Sequence, residues 1–196
     1  LVIAKVDSVL ATGISDQERA SALLLKGKAL QQLEQDVKAI SIFHSITALG
    51  LSSKEEILGD VYFQLAEIYY DQGSFKQAQK YYLEALKIFR LYDNEARMGA
   101  VDLKIGMIYL SLFDYEHALQ SLHSASEIYE ISGKEIELAE IYLMIGQIYF
   151  EQADFSSAES HLLKAQSLYK NLGFSTSQNE VMDELISVYQ TLHRYS

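Results

Sequence analysis

The sequence repeats with a period of 40 residues, and this period constrains the fold more strongly than any other feature. The segment LAEIY at residues 65–69 recurs as IGMIY at 105–109, as IGQIY at 145–149 and as LISVY at 185–189. Later in each of these copies an aromatic residue keeps the same phase, and so do two alanines in the first three. A weaker copy, one residue out of phase, covers residues 21–49. A period of this length predicts stacked copies of one supersecondary unit that share a continuous core.

Each copy is predicted to contain two helices. In the copy that begins near residue 53, apolar residues recur at steps of three and four in two groups, which is typical of two amphipathic helices. The first group is Leu58, Val61, Tyr62, Leu65, Ile68 and Tyr69, and the second is Phe75, Ala78, Tyr82, Ala85, Leu86 and Phe89. Between the groups, Gly73 can end the first helix, and Ser74, with Gln77 three residues on, can cap the second.

The period divides the chain into about five units within a single all-α domain. The predicted boundaries are a partial unit at 1–14, units at 15–52, 53–93, 94–133 and 134–173, and a partial unit at 174–196. Both ends fall within a unit, and the chain opens at Leu1 without a leader. We therefore expect a segment of a longer protein.

Other predicted helix starts carry residues that favour capping. Asp114 and Asp154 hold the position of Ser74 in the later copies, and a carboxylate there can accept a hydrogen bond from the first turn. Two more starts have the spacing of a capping box, Ser15 with Glu18 and Ser53 with Glu56.

One position of the repeat holds a small residue in the first four copies. Gly27, Gly106 and Gly146 recur inside first helices, where the remaining copy has Ala66. A glycine in a helix costs about 0.5–1 kcal/mol relative to alanine, so its recurrence needs a structural reason. We expect the paired helix to approach closely there through its own small residues, Ala39, Ala78, Ala118 and Ala158.

Composition and charge exclude several classes of protein. The chain has no Pro, which favours long helices, and no Cys, which excludes disulfides, thiolate metal sites and a cysteine nucleophile. Its net charge is −11 and its 16 basic residues are scattered along the sequence, which argues against nucleic acid or an anionic membrane as the partner. No apolar run approaches the ~18 residues of a membrane span.

Catalytic motifs are missing from the sequence as well. It has no phosphate-binding loop, no metalloprotease motif and no nucleophile elbow. None of the five histidines lies three or four residues from another, the spacing that places two ligands on one helix face. Glu135, Glu137 and Glu140 stand in the first turns of a predicted helix, where its dipole favours carboxylates. We predict a protein that is not an enzyme and holds no cofactor or metal.

The repeat pattern resembles the tetratricopeptide repeat. That signature has a small residue after Leu, Tyr three residues later, and then an aromatic residue, Ala, a large apolar residue and Ala. Complete copies begin near Gly59, Gly99 and Ala139. The unit has 40 residues rather than about 34. The family's terminal Pro is replaced by Arg90, Glu130 and Lys170. The resemblance implies a right-handed superhelical α-solenoid of antiparallel helix pairs.

Within this family, the 40-residue form is similar to the sensory arrays of bacterial signalling proteins of the diguanylate cyclase or histidine kinase type. It therefore implies a non-catalytic, protein- or peptide-binding module in the sensory part of such a protein. One alternative is a module like the peptide-sensing quorum regulators. Another is an assembly scaffold that self-associates through its end helices. We expect a soluble segment, with a periplasmic location slightly favoured over a cytoplasmic one.

In this family the first helix of each pair lines a concave groove. The family's offsets give the facing residues Phe63, Glu67 and Tyr70, then Leu103, Met107 and Leu110, then Leu143, Gln147 and Phe150. Such a groove would be apolar in the middle with an acidic margin, so the expected partner is an amphipathic or apolar segment with basic flanks. The alternative is that these side chains pack against neighbouring first helices.

The final helix, predicted at residues 176–193, is too apolar for the polar end cap that a stacked array needs. Either more repeats follow or this face pairs with another chain. Leu185 and Tyr189 are the candidates for self-association, and a homodimer is then the expected partner.

Overall fold

The computed structural model describes residues 2–11, 13–52 and 55–195. Over these ranges the chain forms ten helices and no strand, so the prediction of an all-α repeat fold is confirmed. The helices are α1 (Val2–Leu10), α2 (Asp16–Gln31), α3 (Asp36–Thr47), α4 (Glu56–Asp71), α5 (Phe75–Leu91), α6 (Glu95–Ser111), α7 (Tyr115–Ser132), α8 (Glu135–Glu151), α9 (Phe155–Leu172) and α10 (Ser175–Tyr195).

Within the same ranges, none of the helices combines the length and the apolar character that crossing a lipid bilayer requires.

The chain divides into two compact units, residues 1–101 and 102–196, with the boundary inside α6. We call them the N-terminal unit and the C-terminal unit. In the N-terminal unit, helices α1 to α5 each pack on the next, and α2 also contacts α4. Its core is filled by fully buried side chains, among them Phe43, Val61 and Leu65.

The C-terminal unit follows the same plan. Helices α7 to α10 pack in succession, and α8 also contacts α10. Its core contains the fully buried Leu122, Ile141, Ile145 and Ile148. In both units, first helices of successive pairs therefore touch one another, which is the arrangement that the 40-residue period predicts.

The predicted caps at Ser15, Asp114 and Asp154 are confirmed. Ser15 and Glu18 form a reciprocal capping box at the start of α2. Asp114 accepts from the backbone N–H of His117 at 3.4 Å, and Asp154 from that of Ser157 at 3.1 Å.

The predicted cap at Ser74 is wrong, because its side chain makes no capping hydrogen bond. Its backbone (φ −82°, ψ 59°) is close to that of Asp114 (φ −87°, ψ 76°). The shorter serine side chain therefore does not reach the backbone N–H groups of the first turn, whereas the longer aspartate side chain does. Ser53, the other predicted cap, lies outside the described residues. Helix α4 begins after Glu55, whose side chain makes no capping bond.

The close approach predicted at the small position is confirmed, but the residue that makes it differs. A Cβ at Gly106 would lie 2.8 Å from the Leu122 side chain, and one at Gly146 would lie 2.7 Å from Leu162. The carbonyl oxygen of Ala118 is farther, at 3.5 Å. The large residue four positions after the alanine therefore fills the space, and glycine makes room for it.

Candidate functional site

The three predicted groove residues of the N-terminal unit lie on α4. Phe63 is only 9% exposed, and its ring packs edge-on against Tyr82 with centroids 5.6 Å apart. The guanidinium of Arg97 lies 5.9 Å from the Phe63 ring centroid and forms an ion pair with Asp60 at 2.8 Å. Phe63 is thus enclosed by its own unit. Tyr70 is half-buried, with its ring 5.7 Å from that of Phe75.

Glu67 is half-buried and accepts a hydrogen bond from the Tyr82 hydroxyl. Burial, with the carboxylate of Glu67 next in importance, raises the pKa of Tyr82 far above its usual value, so the phenol stays protonated and donates. Glu67 also lines a pocket of about 350 Å³, which we call the polar pocket. Its other lining residues are Lys28, Gln31, Gln32 and Gln64.

In the C-terminal unit the predicted groove residues separate into two groups. Leu103 and Leu143 are each 8% exposed and belong to the hydrophobic core. The half-buried residues, which present part of their side chains at the surface, are Met107, Leu110, Gln147 and Phe150. The buried pair supports the unit from within, so only the second group can be reached by a partner.

Three of the four accessible residues meet in one pocket of about 580 Å³, which we call the apolar pocket. Leu110 comes from α6, and Gln147 and Phe150 come from α8. The Phe150 ring packs edge-on against Phe155 with centroids 5.7 Å apart, which fixes its orientation. The remaining lining residues are Ser111, Phe113, Tyr115, Glu151, Glu184 and Ser187.

Two carboxylates stand among these apolar groups. Glu151 at the end of α8 is exposed, whereas Glu184 of α10 is half-buried. The amide of Gln147 donates to Glu184 Oε1 at 2.9 Å and holds that carboxylate in the wall of the pocket. The arrangement can therefore accept an apolar side chain on Leu110 and Phe150 and a cation beside the glutamates.

Phe113 is the residue that the sequence reading missed. It lies in the turn between α6 and α7, is 76% exposed, and has a left-handed backbone with φ +57°. The same turn position in the other copies is left-handed too, and it holds Glu34, Gly73 and Ala153. A left-handed conformation costs a non-glycine residue about 1–2 kcal/mol. Phe113 differs from these equivalents by its large exposed ring, and its alignment with Gly73 was the signal in the sequence.

The histidines form no metal centre in the part of the chain that the structure describes, where no group of three suitable side chains occurs. Spacing along the sequence did not reveal that His123 and His161 come together from α7 and α9, with ring centroids 6.3 Å apart. Glu137 pairs with Lys134 at 3.7 Å. Burial raises the pKa of Glu140, and the charge of Glu137 raises it further.

The candidate self-association residues of α10 have different surroundings. Leu185 is 3% exposed and lies in the core, so a second chain cannot reach it while the unit stays folded. Tyr189 is 41% exposed, and its hydroxyl donates to Glu159 at 2.6 Å. Among the side chains of this helix that the structure describes, the other large apolar ones that are exposed are Met182, Ile186 and Leu192. Self-association through α10 stays a prediction, and Tyr189 with these neighbours would have to carry it.

Comparisons with known proteins identify the fold. Two sequence profiles described as tetratricopeptide repeat match residues 59–92 and 97–171, which together make up more than half of the chain. No curated protein matches the sequence.

Several solved structures are similar in fold. BtubC (BKLC) from P. vanneervenii superposes with a TM-score of 0.80 at 19% identity, over 97% of this chain and 80% of that one. A signal transduction ATPase with a tetratricopeptide repeat sensor, PH0952 from Pyrococcus horikoshii, gives a TM-score of 0.79 at 17% identity, over 90% and 28%. A Rap protein complexed with competence and sporulation factor gives 0.66 at 18% identity, over 97% and 53%. The chain thus spans about half of that Rap protein and a quarter of the ATPase.

The matched profiles, the helix pairs and these superpositions agree with the residue pattern of the repeat. The chain belongs to the tetratricopeptide repeat family.

Proposed function

We propose that the chain is a non-catalytic binding module whose apolar pocket accepts an amphipathic or apolar peptide segment with basic flanks. The observation that carries this proposal is Phe113, an exposed aromatic residue with a left-handed backbone. It lines the apolar pocket together with Leu110 and Phe150. A ligand that covers the Phe113 ring would remove it from water and so compensate for the cost of its backbone.

The apolar groups supply most of the affinity in this proposal. Burying a side chain such as Phe is worth about 1.5–3 kcal/mol, and Phe113 is almost wholly available for such burial. Leu110 and Phe150 are already half-buried, so they add less area and chiefly give the pocket its shape. An apolar side chain of the ligand would insert between these residues.

The two glutamates supply specificity for basic flanks. Exposed ion pairs are worth only about 0.2–1 kcal/mol each, so Glu151 adds little affinity. Glu184 is more shielded from solvent and is held in place by Gln147. Its carboxylate therefore discriminates more strongly in favour of a basic flank. A segment with acidic flanks would be repelled by both carboxylates and by the net charge of −11.

A role in ligand sensing within a signalling protein is supported by two of the structural relatives. One is described as carrying a tetratricopeptide repeat sensor, and the other is complexed with competence and sporulation factor. We therefore propose that this chain is the sensory part of a signalling protein. It would sense its ligand by binding a peptide or protein segment in the apolar pocket.

The experiment uses a synthetic helical peptide of leucine and lysine as the probe and isothermal titration calorimetry as the readout. The wild-type chain is expected to bind it, and Phe113→Gly is expected to weaken binding about 10-fold, the effect of losing roughly 1.4 kcal/mol of apolar burial. Glycine also suits the left-handed backbone, so this variant removes the ring without straining the turn.

Ala153→Gly is the matched control, because it makes the same backbone change at the same position of the next repeat. It should bind the probe as tightly as the wild type. A peptide of leucine and glutamate should bind more weakly than the lysine peptide. If Phe113→Gly and Ala153→Gly bind the lysine peptide equally well, attraction by net charge explains the binding and the apolar pocket is not the site.

A further inference from the structure

The outward face of α5 carries a stripe of basic side chains, which we call the basic stripe. Its residues stand at steps of four, three, four and three, so they lie in one row along the helix. They are Lys76, Lys80, Leu83, Lys87 and Arg90, and all five are exposed. Four of the 16 basic residues of the chain thus share one helix face, although along the sequence they are scattered.

Helix α7 carries the opposite charge at the same positions of the repeat, 40 residues later. These residues are Glu116, Gln120, His123, Glu127 and Glu130, and all five are exposed. We call them the acidic stripe. Helix α5 has four basic residues and one acidic residue, whereas α7 has three acidic residues and neither Lys nor Arg. The charges of the two stripes are therefore opposite at three of the five positions.

The other second helices show that the fold does not require these charges. At the corresponding positions α3 has Val37, Ser41 and His44, and α9 has Ser156, Ser160, Leu163, Ser167 and Lys170. Both helices pack in the same way in their units. A solvated face alone thus does not explain why α5 is basic and α7 acidic.

The basic stripe keeps much of its charge unpaired within the described residues. Lys87 pairs with Glu84 at 2.8 Å, but its side chain stays 67% exposed. Lys80 lies 5.9 Å from the ring centroid of Tyr81. Lys76 and Arg90 have neither an ion pair nor a hydrogen bond to any described side chain.

We propose that the basic stripe of one copy of this chain docks on the acidic stripe of a second copy. Both stripes cover 15 residues, so their end residues lie about 21 Å apart along the helix, with Leu83 and His123 at their centres. Lys76 and Arg90 can face Glu116 and Glu130 whether the two helices run parallel or antiparallel. A second copy is the occupant that the chain itself supplies, because the matching acidic surface has the same spacing.

The experiment measures self-association by analytical ultracentrifugation over a range of protein concentrations. The wild type is expected to associate, and raising the salt from about 50 mM to about 500 mM should weaken association at least 10-fold, because exposed charges are screened. Two charge-reversed variants test the register. One is Lys76→Glu with Lys87→Glu, and the other is Glu116→Lys with Glu127→Lys.

Each variant alone is expected to be monomeric, because the first removes the net charge of the basic stripe and the second makes the acidic stripe positive. An equimolar mixture of the two variants should associate, because the first variant keeps an intact acidic stripe and the second keeps an intact basic stripe. Ser156→Glu with Ser167→Glu is the matched control, since it adds charge at the same two positions of α9, and it should associate like the wild type. All of these side chains are exposed, so circular dichroism should show unchanged helix content.

The proposal fails if the wild type is monomeric at every concentration, or if the mixture of the two variants stays monomeric. It also fails if the wild type stays monomeric while its Lys76 and Lys87 bind a polyglutamate peptide, because the basic stripe then serves a foreign acidic partner.

Discussion

The polar and apolar pockets occupy the same positions of the repeat, yet they present different chemistry. Gln31 in the N-terminal unit and Leu110 in the C-terminal unit are equivalent, as are Glu67 and Gln147. The first pocket is lined by amides, a lysine and a glutamate, and the second by aromatic and aliphatic groups with two glutamates. The helical period therefore decides where a pocket opens, and the individual side chains decide what it accepts.

Beneath these pockets the two units are alike. One buried position of the first helices holds Leu24, Phe63, Leu103 and Leu143, with exposures of 8–9% throughout. Phe63 packs against Tyr82, and Leu24, Leu103 and Leu143 belong to the hydrophobic cores of their units. Each unit thus has a structural layer of buried first-helix residues, which are alike in the two units, and a surface layer of pocket residues, which differ. The following predictions test this distinction.

The largest effect is expected in the structural layer. Leu143→Asp should lower the free energy of unfolding by about 3–5 kcal/mol, because it leaves a cavity and buries a carboxylate without a partner. Urea unfolding followed by circular dichroism measures this. Ile131→Asp, at a position that is 82% exposed, should stay within about 0.5 kcal/mol of the wild type. Equal stability of the two variants would mean that position 143 belongs to the surface.

The next effect concerns the surface layer. Leu110→Gln with Phe150→Gln gives the apolar pocket the amide character of the polar pocket. Affinity for the leucine–lysine peptide should fall about 10- to 100-fold, since two apolar contacts of roughly 1 kcal/mol or more are lost. Gln31→Leu in the polar pocket is the matched control and should leave that affinity within about 2-fold of the wild type. A larger loss in the control would place the peptide in the N-terminal unit.

A smaller effect is expected at the left-handed turns. Phe113→Gly should raise the free energy of unfolding by about 1 kcal/mol, because glycine adopts a positive φ without steric cost. Gly73→Ala, at the equivalent turn of the N-terminal unit, should lower it by about the same amount. Both values come from urea denaturation. If Phe113→Gly were destabilising, the ring would contribute to the fold and the case for a binding role would weaken.

The smallest effect arises where one ring of an aromatic cluster differs between the units. In the N-terminal unit Tyr81 stacks on Tyr62 and Tyr69, with centroids 6.1 and 5.5 Å apart. Two repeats later the position of Tyr81 is taken by His161, whose ring lies 6.0 and 5.4 Å from those of Tyr142 and Tyr149. In the C-terminal unit the ring that stacks on both tyrosines is thus an imidazole, whereas in the N-terminal unit it is a phenol and the imidazole of His44 lies beside it, 6.4 Å from Tyr81.

Burial lowers the pKa of His161 from its usual 6.5, opposed by a hydrogen bond with the Ser157 carbonyl. Lys164 and His123 lower that pKa further, and Asp154 raises it. The unfolded chain therefore takes up the proton more readily, and His161 reduces stability as the pH falls from about 7 to about 5. Above this window the imidazole is neutral in both states and contributes nothing.

His161→Tyr, which restores the ring found in the N-terminal unit, should reduce the fall in melting temperature between about pH 7.5 and pH 5.5. His117 acts in the opposite direction, because Asp114 raises its pKa, but it is present in both proteins and cancels in the comparison. An unchanged pH dependence in the variant would show that His161 is not the group that titrates.

The helices were predictable because their signals are local. Gly73 at the end of α4 and the capping carboxylates of Asp114 and Asp154 act within one turn of helix. The site was only partly predictable. The family's offsets selected Phe63, Leu103 and Leu143 together with Leu110 and Phe150, because all lie on first helices, but burial by neighbouring helices separates them.

Two features could have been found by aligning the copies more fully. Phe113 falls at the turn position of Gly73, which marks it as out of place, and the basic and acidic stripes fall at identical positions of α5 and α7. The apolar pocket could not have been found in this way, because residues from three helices, α6, α8 and α10, line it together.

By itself the sequence determined the all-α repeat, the helix pairs, their turns and the family. The 40-residue period is visible along the chain without any knowledge of the packing, and helix caps act within one turn. Only the tertiary structure decided which apolar residues are buried. Whether Leu185 or Tyr189 meets solvent depends on helices that lie far away in sequence, and burial is a property of that packing rather than of hydrophobicity.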